Sequence, residues 1–322
     1  MNLAMYDMEM ISSTFWKQKR RYDYFIIAPN IESRSRAFFR EAKGQIGFNN
    51  VIIADYSNFH INLNENQENS FFDDFDGFKT IIINAMTEKE VLKEIKNVKF
   101  FKTDKVGIDI TGFSIPSIYS ILFLLKNVCK LTYVDVFYSE PQFYVYEEGY
   151  FDSYHNKIRE RRCAPIIEYY NAGMDEQEIL TILLGFDGGL ADLVYNKLGE
   201  EGNVKKTLVV NGFPSYTAKL KDVSLFNNEG LIDKLEKDNL FSAAANNPFD
   251  VYNLLCKIKK QNPDILLNLC SIGSKPMALG ACLFALDNMR SVKVTYPFYE
   301  KKNFDVNEKT GKIWRYGITF ND

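Results

Sequence analysis

The sequence predicts an α/β fold made of two tandem domains, each with a parallel β-sheet covered by helices. Two observations support this prediction. Short apolar runs bounded by turn residues alternate with helical segments, which is typical of parallel strands buried on both faces. The same order of elements then recurs in the second half of the chain, about 155 to 160 residues later.

The first half contains the first copy of this order. Its strands are rich in β-branched and aromatic residues, and its last helix follows a proline, which lacks an amide hydrogen and suits a first helical turn. The predicted elements are strand 22–29, a helix to Ala42, strand 50–55, helix 88–96, strand 106–112, helix 117–127 after Pro116, and strand 133–138.

The second half repeats the order, again with a proline before the last helix. The predicted elements are strand 179–185, a helix to Leu198, strand 206–211, helix 250–259, strand 265–273, helix 277–287 after Pro276, and strand 292–299. Sequence identity between the halves is low, so the alternative is that any two α/β segments alternate alike. We interpret the pattern as two Rossmann-like domains produced by a degenerate internal duplication.

These elements divide the chain into four segments. Residues 62–77, rich in Asn and Asp, are predicted to form a loop or insertion within the first domain. The predicted segments are an N-terminal extension over 1–21, a first domain over 22–144, a partly helical connector over 145–177, and a second domain over 178–322.

Composition excludes several classes of protein. The 322 residues include 39 Lys and Arg against 42 Asp and Glu, and this net charge of −3 argues against direct DNA binding. With two histidines and no CxxC pair among five cysteines, we expect no metal site, no cofactor and no disulfide framework. The longest apolar stretch, residues 118–125, is far short of the ~20 residues that span a bilayer. We therefore expect a cytoplasmic protein without a membrane partner.

Ligands of open parallel sheets bind at the carboxyl ends of the strands, where the strand order reverses. This rule selects four strand-to-helix turns as candidate sites: residues 29–36, 109–116, 185–191 and 271–277. Two loops rich in Gly, Pro and Asn, residues 211–215 and 246–250, are candidates to line the second domain's cleft.

The turn after strand 265–273 is the sharpest candidate. Gly273 permits close backbone approach, Ser274 is suited to cap the helix, and Lys275 adds a positive charge where helical amides attract phosphate. A Walker A motif is absent, so the pattern does not predict an NTPase. The alternative is that Ser274 only caps a core helix while Lys275 faces solvent.

Two further turns contribute candidate ligand residues. Gly185, Asp187 and Gly188 form a tight turn in which Asp187 either contacts a ligand, acts as a general base or caps the next helix. In the first half, Arg34 and Arg36 stand in the first turns of a predicted helix. Cations there oppose the helix dipole unless an anion compensates, which indicates an anionic partner or, alternatively, simple surface exposure.

Evidence for catalysis is limited to carboxylates. Asp109, at the end of strand 106–112, is either functional or bonded to neighbouring backbone, and it is with Asp187 a candidate catalytic residue. His60 and His155 lie in a predicted loop and the connector, so a Ser–His or Cys–His pair has no support. Among the aromatic residues, which favour core roles, the exceptions are Tyr296 and Tyr299 near the edge that carries Lys275.

The segment Ser271 to Leu279, following an apolar strand, resembles the strand–Gly-[Ser/Thr]-Lys-x-Met–helix element of CRISPR-associated Rossmann-fold (CARF) sensor domains. The resemblance covers about a dozen residues. Domains of that family bind cyclic oligonucleotides between paired Rossmann-like units. The resemblance implies ligand contacts for 273–275 and, through the family's other strand-end loop, for 185–188. Ile115 replaces the lysine in the first half, and the effector of such a sensor is expected to be a separate protein.

Three hypotheses about function follow. The first is a sensor for a phosphate-bearing nucleotide, with the two halves as a pseudo-dimer and a role in phage defence. In this hypothesis the phosphates are held by Lys275, by backbone amides near Gly273 and, in addition, by Arg34 and Arg36. The second is an enzyme acting on a nucleotide or nucleotide-sugar by glycosyl transfer or hydrolysis, with Asp187 or Asp109 as general base. The third is an interaction scaffold without a small ligand.

Overall fold

The chain forms two compact α/β units. A computed structural model describes residues 6–28, 33–55, 72–84, 88–142, 162–166, 177–200, 202, 204–216, 218–298 and 310–320. The first unit comprises residues 1–145 together with 302–322, and the second comprises residues 146–301. The chain therefore builds most of the first unit, then the whole second unit, and finally returns to the first.

In the described part of the first unit, seven strands form one sheet. They are β1 (Tyr6–Met10), β2 (Arg21–Ile27), β3 (Gly47–Asp55), β4 (Thr80–Asn84), β5 (Val106–Asp109), β6 (Tyr133–Pro141) and, after the return of the chain, β13 (Thr310–Thr319). Their order is β1-β13-β6-β5-β2-β3-β4. Strands β2 to β6 are parallel. Strand β13 pairs with β6 in antiparallel orientation, and β1 pairs with β13, again in antiparallel orientation.

The helices of the first unit are short. They are α1 (Ser13–Trp16), α2 (Ala37–Ala42), α3 (Glu88–Asn97) and α4 (Ile115–Phe123), with a π-helical turn over Leu124–Val128 and 3₁₀ turns over Ser33–Arg36 and Asp73–Phe75. The core between sheet and helices is aromatic. The rings of Phe38 and Phe137 stack with centroids 3.8 Å apart, and Phe15 packs edge-on against both.

The second unit repeats the parallel arrangement. Its described strands are β7 (Arg162–Pro165), β8 (Glu178–Leu183), β9 (Val204–Gly212), β10 (Leu240–Ala243), β11 (Leu266–Ser271) and β12 (Val292–Phe298), in the order β10-β9-β8-β11-β12-β7. Strands β8 to β12 are parallel, and β7 pairs with β12 in antiparallel orientation. Each unit thus places its five parallel strands in the spatial order third, second, first, fourth, fifth, which is that of a Rossmann fold.

Helices connect the parallel strands of the second unit. They are α5 (Gly188–Val194), α6 (Ala218–Asn227), α7 (Glu229–Ile232), α8 (Pro248–Gln261) and α9 (Lys275–Asp287), with a π-helical turn over Tyr195–Glu200 and a 3₁₀ turn over Lys237–Asn239. The predicted fold class is confirmed: the chain is an α/β protein with two tandem Rossmann-like units.

The unit boundaries differ from the predicted segments at three places. The predicted N-terminal extension contains β1, which pairs with β13, and Phe15, which is fully buried in the first core. The predicted connector contains β7, an edge strand of the second sheet. The end of the predicted second domain, with β13, belongs to the first unit because β13 pairs with β6. Residues 145–161 and 167–176 of the connector lie outside the described residues.

Candidate functional site

The strand order of the second sheet reverses between β8 and β11. From β8 the chain continues to β9 and then β10 on one side, whereas β11 and β12 lie on the other side. The turns that follow β8 and β11 lead to helices on opposite faces of such a sheet, which opens a crevice at the carboxyl ends of these two strands. The predicted turns 185–191 and 271–277 therefore flank the reversal point of the second unit.

These two turns pack backbone against backbone. A Cβ placed on Gly185 would lie 2.2 Å from the carbonyl oxygen of Ile272, and one on Gly273 would lie 2.6 Å from that of Leu184. Between them, the amide of Ile272 donates to the carbonyl of Leu183 over 3.0 Å. The two predicted glycines are thus required for the approach of the turns to each other.

The turn after β11 has the predicted helix-start geometry. Ser274 caps α9 by accepting a hydrogen bond from the amide of Met277 at 3.3 Å. Lys275 is the first helical residue and is partly exposed, and Pro276 follows it in the first turn. The Gly273–Lys275 segment therefore lies at the positive end of a 13-residue helix, beside the reversal of strand order.

Asp187 caps the helix that follows β8. Its Oδ1 atom accepts a hydrogen bond from the amide of Leu190 at 3.0 Å, and its side chain is buried. Gly188 begins the helix against the carbonyl oxygen of Asn227, where a Cβ would clash. Of the three alternatives for Asp187, the geometry provides the capping role.

Residues of α6 and of the junction after it, for which no functional role was predicted, hold the turn over 185–188 in place. Ser224 and Asn228 both donate to the carbonyl oxygen of Gly185, over 3.0 and 2.9 Å. Asn227 donates to the carbonyl oxygen of Phe186 over 2.8 Å. The Asn-Asn pair at the end of a helical pattern is a signal for a helix terminus, but its partner across the fold is not visible in a linear pattern.

The loops after β9 and β10 follow the carboxyl ends of parallel strands, at the same sheet edge as the turn of Lys275. The carbonyl oxygen of Ala245 accepts hydrogen bonds from the hydroxyls of Ser274 and Tyr216. The amide of Ala245 donates to the carbonyl oxygen of Pro214 over 2.9 Å. Ala245 thus connects the turn that carries Lys275 to the loop that follows β9.

Arg34 and Arg36 lie in the 3₁₀ turn before α2, and both are buried. Arg34 donates to the carbonyl oxygen of Ser139 over 2.8 Å and lies above the ring of Tyr138. Arg36 forms an ion pair with Asp74 at 3.4 Å. Burial, followed by repulsion from a neighbouring arginine, lowers the pKa of Arg36.

The anion that compensates Arg36 is therefore Asp74 of the same unit. An anionic ligand is therefore not needed to balance the charge of Arg36. Both arginines belong to the first unit, whereas Lys275 belongs to the second. Residues 29–32, which complete the predicted turn, lie outside the described residues.

Asp109 ends β5 and is completely buried. Its Oδ1 atom accepts a hydrogen bond from the amide of Thr111 at 2.9 Å, and the Thr111 hydroxyl in turn accepts from the amide of Ser139 at 2.9 Å. The turn repeats the glycine contact of the second unit, since a Cβ on Gly112 would lie 2.3 Å from the carbonyl oxygen of Ala28. The Asp109 carboxylate holds this turn and is not at the protein surface.

The first-unit turn also repeats the helix start. Ser114 caps α4 by accepting from the amide of Ser117 at 3.2 Å, and Pro116 lies in the first turn. Ile115 occupies the position between them that Lys275 occupies in the second unit. The two turns therefore share their geometry, but the lysine is specific to the second.

Of the tyrosines and histidines singled out in the sequence, the structure describes only Tyr296. Tyr296 is buried in β12, and its ring packs edge-on against Phe298. Tyr299, His60 and His155 lie outside the described residues.

A buried charge cluster in the first unit was not predicted. Asp135 of β6 accepts hydrogen bonds from Tyr22 at 2.7 Å and from Tyr133 and Arg315 at 2.6 Å each. Burial lowers the pKa of Arg315, but Asp135 and Asp7 outweigh this effect and hold the pKa above its ordinary value. The cluster links four strands near the amino ends of β2 and β6. Ligands of parallel sheets bind at the carboxyl ends of the strands, so we assign this cluster a structural role.

Among the residues that the structure describes, no group of three or more His, Cys, Asp or Glu side chains is placed to hold a metal ion. In the same part of the chain, no helix is both long and apolar enough to cross a bilayer. The five cysteines are free thiols, two of them buried and three partly buried.

Comparisons with known proteins give no family. No family model matches the chain, and no curated protein matches it. Among solved structures, a proposed universal stress protein from Pseudomonas aeruginosa UCBPP-PA14 is 8% identical, with 87% of this chain and 93% of that chain covered and a TM-score of 0.27. A protein of unknown function from Pseudomonas aeruginosa PAO1 is 7% identical, with 89% and 95% covered and a TM-score of 0.26.

A third solved structure is the cytoplasmic domain of a prokaryotic cation chloride cotransporter, which is 11% identical, with 86% and 95% covered and a TM-score of 0.27. TM-scores of this size carry no inference about the present chain. The fold class of this chain is established by its own strand order.

Proposed function

We propose that the second unit binds a phosphate-bearing nucleotide at the carboxyl ends of β8 and β11. The observation that carries the proposal is the position of Lys275, the first residue of a 13-residue helix that starts beside the reversal of strand order. Ligands of doubly wound sheets bind at this place in the topology. The lysine supplies a full positive charge to the helix end that already favours anions.

The surroundings of the two candidate catalytic carboxylates favour a binding function without catalysis. Asp187 uses Oδ1 to cap α5, and Asp109 is completely buried and holds its own turn. A general base must come within hydrogen-bond reach of the proton it removes. Because both candidate bases have a structural hydrogen bond and are buried, we propose a binding protein rather than the alternative enzyme acting on a nucleotide or nucleotide-sugar.

The resemblance of residues 271–279 to CARF sensor domains suggests which ligand to test first. We propose a cyclic oligonucleotide as the ligand class and a sensor role whose output passes to a separate effector protein. A role in phage defence is the biological context that this proposal implies. Mononucleotides, dinucleotides and nucleotide sugars form the comparison set, since each presents a phosphate to the same turn.

The test is isothermal titration of the whole chain with this panel, in parallel with thermal denaturation. A ligand present at a hundred times its Kd stabilises the native state by about 2.7 kcal/mol, which is readily measured. For the ligand that binds, Lys275→Ala should weaken affinity about tenfold or more, since a hydrogen bond to a charged group contributes about 1.5–3 kcal/mol. The control is Lys257→Ala, which removes an exposed lysine from α8.

The two variants separate the proposal from a general charge effect. Equal weakening by both substitutions would mean that affinity follows net charge and that the site is not at Lys275. Unchanged affinity in Lys275→Ala would refute the site, and no binding across the panel would favour the scaffold hypothesis.

A further inference from the structure

An aromatic side chain stands exposed at the edge of the sheet that carries Lys275. Phe213 directly follows β9, the neighbour of β8, and is 47% exposed. Large apolar side chains at strand ends are commonly buried, and the aromatic residues of the first unit's core follow that rule. Nearly half of the Phe213 side chain is therefore at the surface of the second unit, in the loop that follows β9.

Hydrogen bonds connect Phe213 to the turn of Lys275 through one short segment, residues 243–245. The amide of Phe213 donates to the carbonyl oxygen of Ala243 over 2.7 Å, and the carbonyl oxygen of Pro214 accepts from the amide of Ala245. Ala245 accepts in turn from the hydroxyl of Ser274, the residue before Lys275. Phe213 and Lys275 therefore belong to one hydrogen-bonded group of loops.

Side-chain packing gives the same connection. A Cβ on Gly212, the last residue of β9, would lie 3.2 Å from the Sδ atom of Met277 in the first turn of α9. Tyr216 closes the loop by donating to the carbonyl oxygen of Ala245 over 3.1 Å. The loop after β9 is thus fixed at both ends against the start of α9, so presenting its aromatic ring to a ligand requires little ordering.

We infer that Phe213 is the base-stacking residue of the nucleotide site, so that the ligand's phosphate contacts Lys275 and its nucleobase stacks on the phenyl ring. In dinucleotide-binding sheets the nucleoside lies toward the end of the second strand, and β9 is the second parallel strand of this unit. Stacking on an aromatic face accepts any base. This inference rests on the proposed function. It adds a contact for the nucleobase, which a phosphate site alone does not define.

The test compares inorganic pyrophosphate with the four nucleoside diphosphates ADP, GDP, CDP and UDP in isothermal titrations of the whole chain. The ratio of the Kd for pyrophosphate to the Kd for a nucleoside diphosphate measures what the nucleoside adds. We expect each nucleoside diphosphate to bind more tightly than pyrophosphate, and Phe213→Leu to reduce that advantage about tenfold, while Phe213→Tyr retains it.

Two controls accompany these variants. Phe226→Leu removes a ring that is 72% exposed on α6 of the same unit, and it should change neither affinity. Melting temperatures of all variants show whether each is folded. Because Leu keeps apolar volume without an aromatic face, a folded Phe213→Leu protein tests the ring itself.

The outcomes distinguish the two proposals. If Lys275→Ala weakens pyrophosphate and nucleoside diphosphates alike while Phe213→Leu changes neither, the stacking residue is refuted and the phosphate site stands. Equal affinities of pyrophosphate and all four nucleoside diphosphates for the unmodified chain would refute it as well. If no probe binds, the stacking inference is refuted, while the phosphate site is still tested by the cyclic oligonucleotide titration. If Lys275→Ala has no effect on any probe that binds, both proposals fail.

Discussion

The contact between the two site turns predicts that Gly185→Ala lowers the stability of the protein, although such a substitution usually raises it. The backbone of Gly185 is not in the left-handed region, so an alanine is conformationally acceptable there. At such a position Gly→Ala ordinarily stabilises a protein by about 0.4–1 kcal/mol, because it restricts the unfolded chain. In this structure the added Cβ would lie 2.2 Å from the carbonyl oxygen of Ile272, and we expect Gly185→Ala to destabilise instead.

The magnitude follows from the distance. Ordinary contact requires the two turns to separate by about 1 Å, a displacement that costs about 1–3 kcal/mol in a packed region. The same separation strains the hydrogen bond from Ile272 to Leu183, which contributes about 0.5–1.5 kcal/mol. Together these effects predict a loss of about 2–4 kcal/mol, or a melting temperature lower by roughly 5–15 °C for a unit of this size.

The assay is thermal and urea denaturation followed by circular dichroism, with Gly230→Ala as the matched control. Gly230 lies in α7 of the same unit, and the nearest atom to an added Cβ is 4.0 Å away, on Asp192. This control should stabilise the protein slightly, by about 0.5–1 kcal/mol. If Gly185→Ala melts at or above the temperature of the unmodified chain, the turns are not packed as described and the site geometry built on them is wrong.

Two further predictions concern the polar groups of the second unit and the thiols. Thr181→Val should raise the free energy of unfolding by about 1 kcal/mol, because the buried Thr181 hydroxyl has no hydrogen-bond partner among the residues that the structure describes. Thr295→Val should lower it by about 1–3 kcal/mol, because the Thr295 hydroxyl donates to Asn268 over 2.8 Å. Urea denaturation measures both changes, and equal signs would contradict the reasoning. Burial raises the pKa of the Cys129 and Cys163 thiols to about 11. The folded state therefore holds the thiol protons more tightly than the unfolded chain, in which the thiol pKa is about 8.5. The contribution of these thiols to stability is lost as the pH rises from about 8.5 toward 11. Mass spectrometry after iodoacetamide treatment should show slow alkylation of both thiols near about pH 8 in the native protein and fast alkylation in guanidinium chloride, and fast native alkylation would refute the burial argument.

Local features of the sequence were sufficient for the helix starts and the main strands. Pro116 and Pro276 predict two helix starts, and Ser274 is predicted to cap the second. In the structure both helices start there, capped by Ser114 and Ser274. A cap depends on residues three positions apart, so its signal is contained in the linear pattern. The alternation of apolar runs and helices likewise predicted the α/β class, because burial of parallel strands on both faces requires it.

Short and edge strands were missed for a physical reason. Strand β10 has four residues and is only partly buried, so it lacks the long apolar run that marks a central strand. Strands β1 and β13 pair with each other across almost the whole chain, as Tyr6 opposite Ile318 shows. Such pairing depends on the return of the chain to the first unit, which no local pattern encodes.

The sequence by itself determined the residue types at the site: a glycine, a capping serine and a lysine at the start of an apolar helix. Only the tertiary structure decided what each contacts. It gave Arg36 its anion, Asp74, and brought Gly273 against the carbonyl oxygen of Leu184, while placing Phe213 in the loop group of Lys275. The difference arises because capping and periodicity act between near neighbours, whereas charge compensation and close packing depend on which distant segments the sheet order makes adjacent.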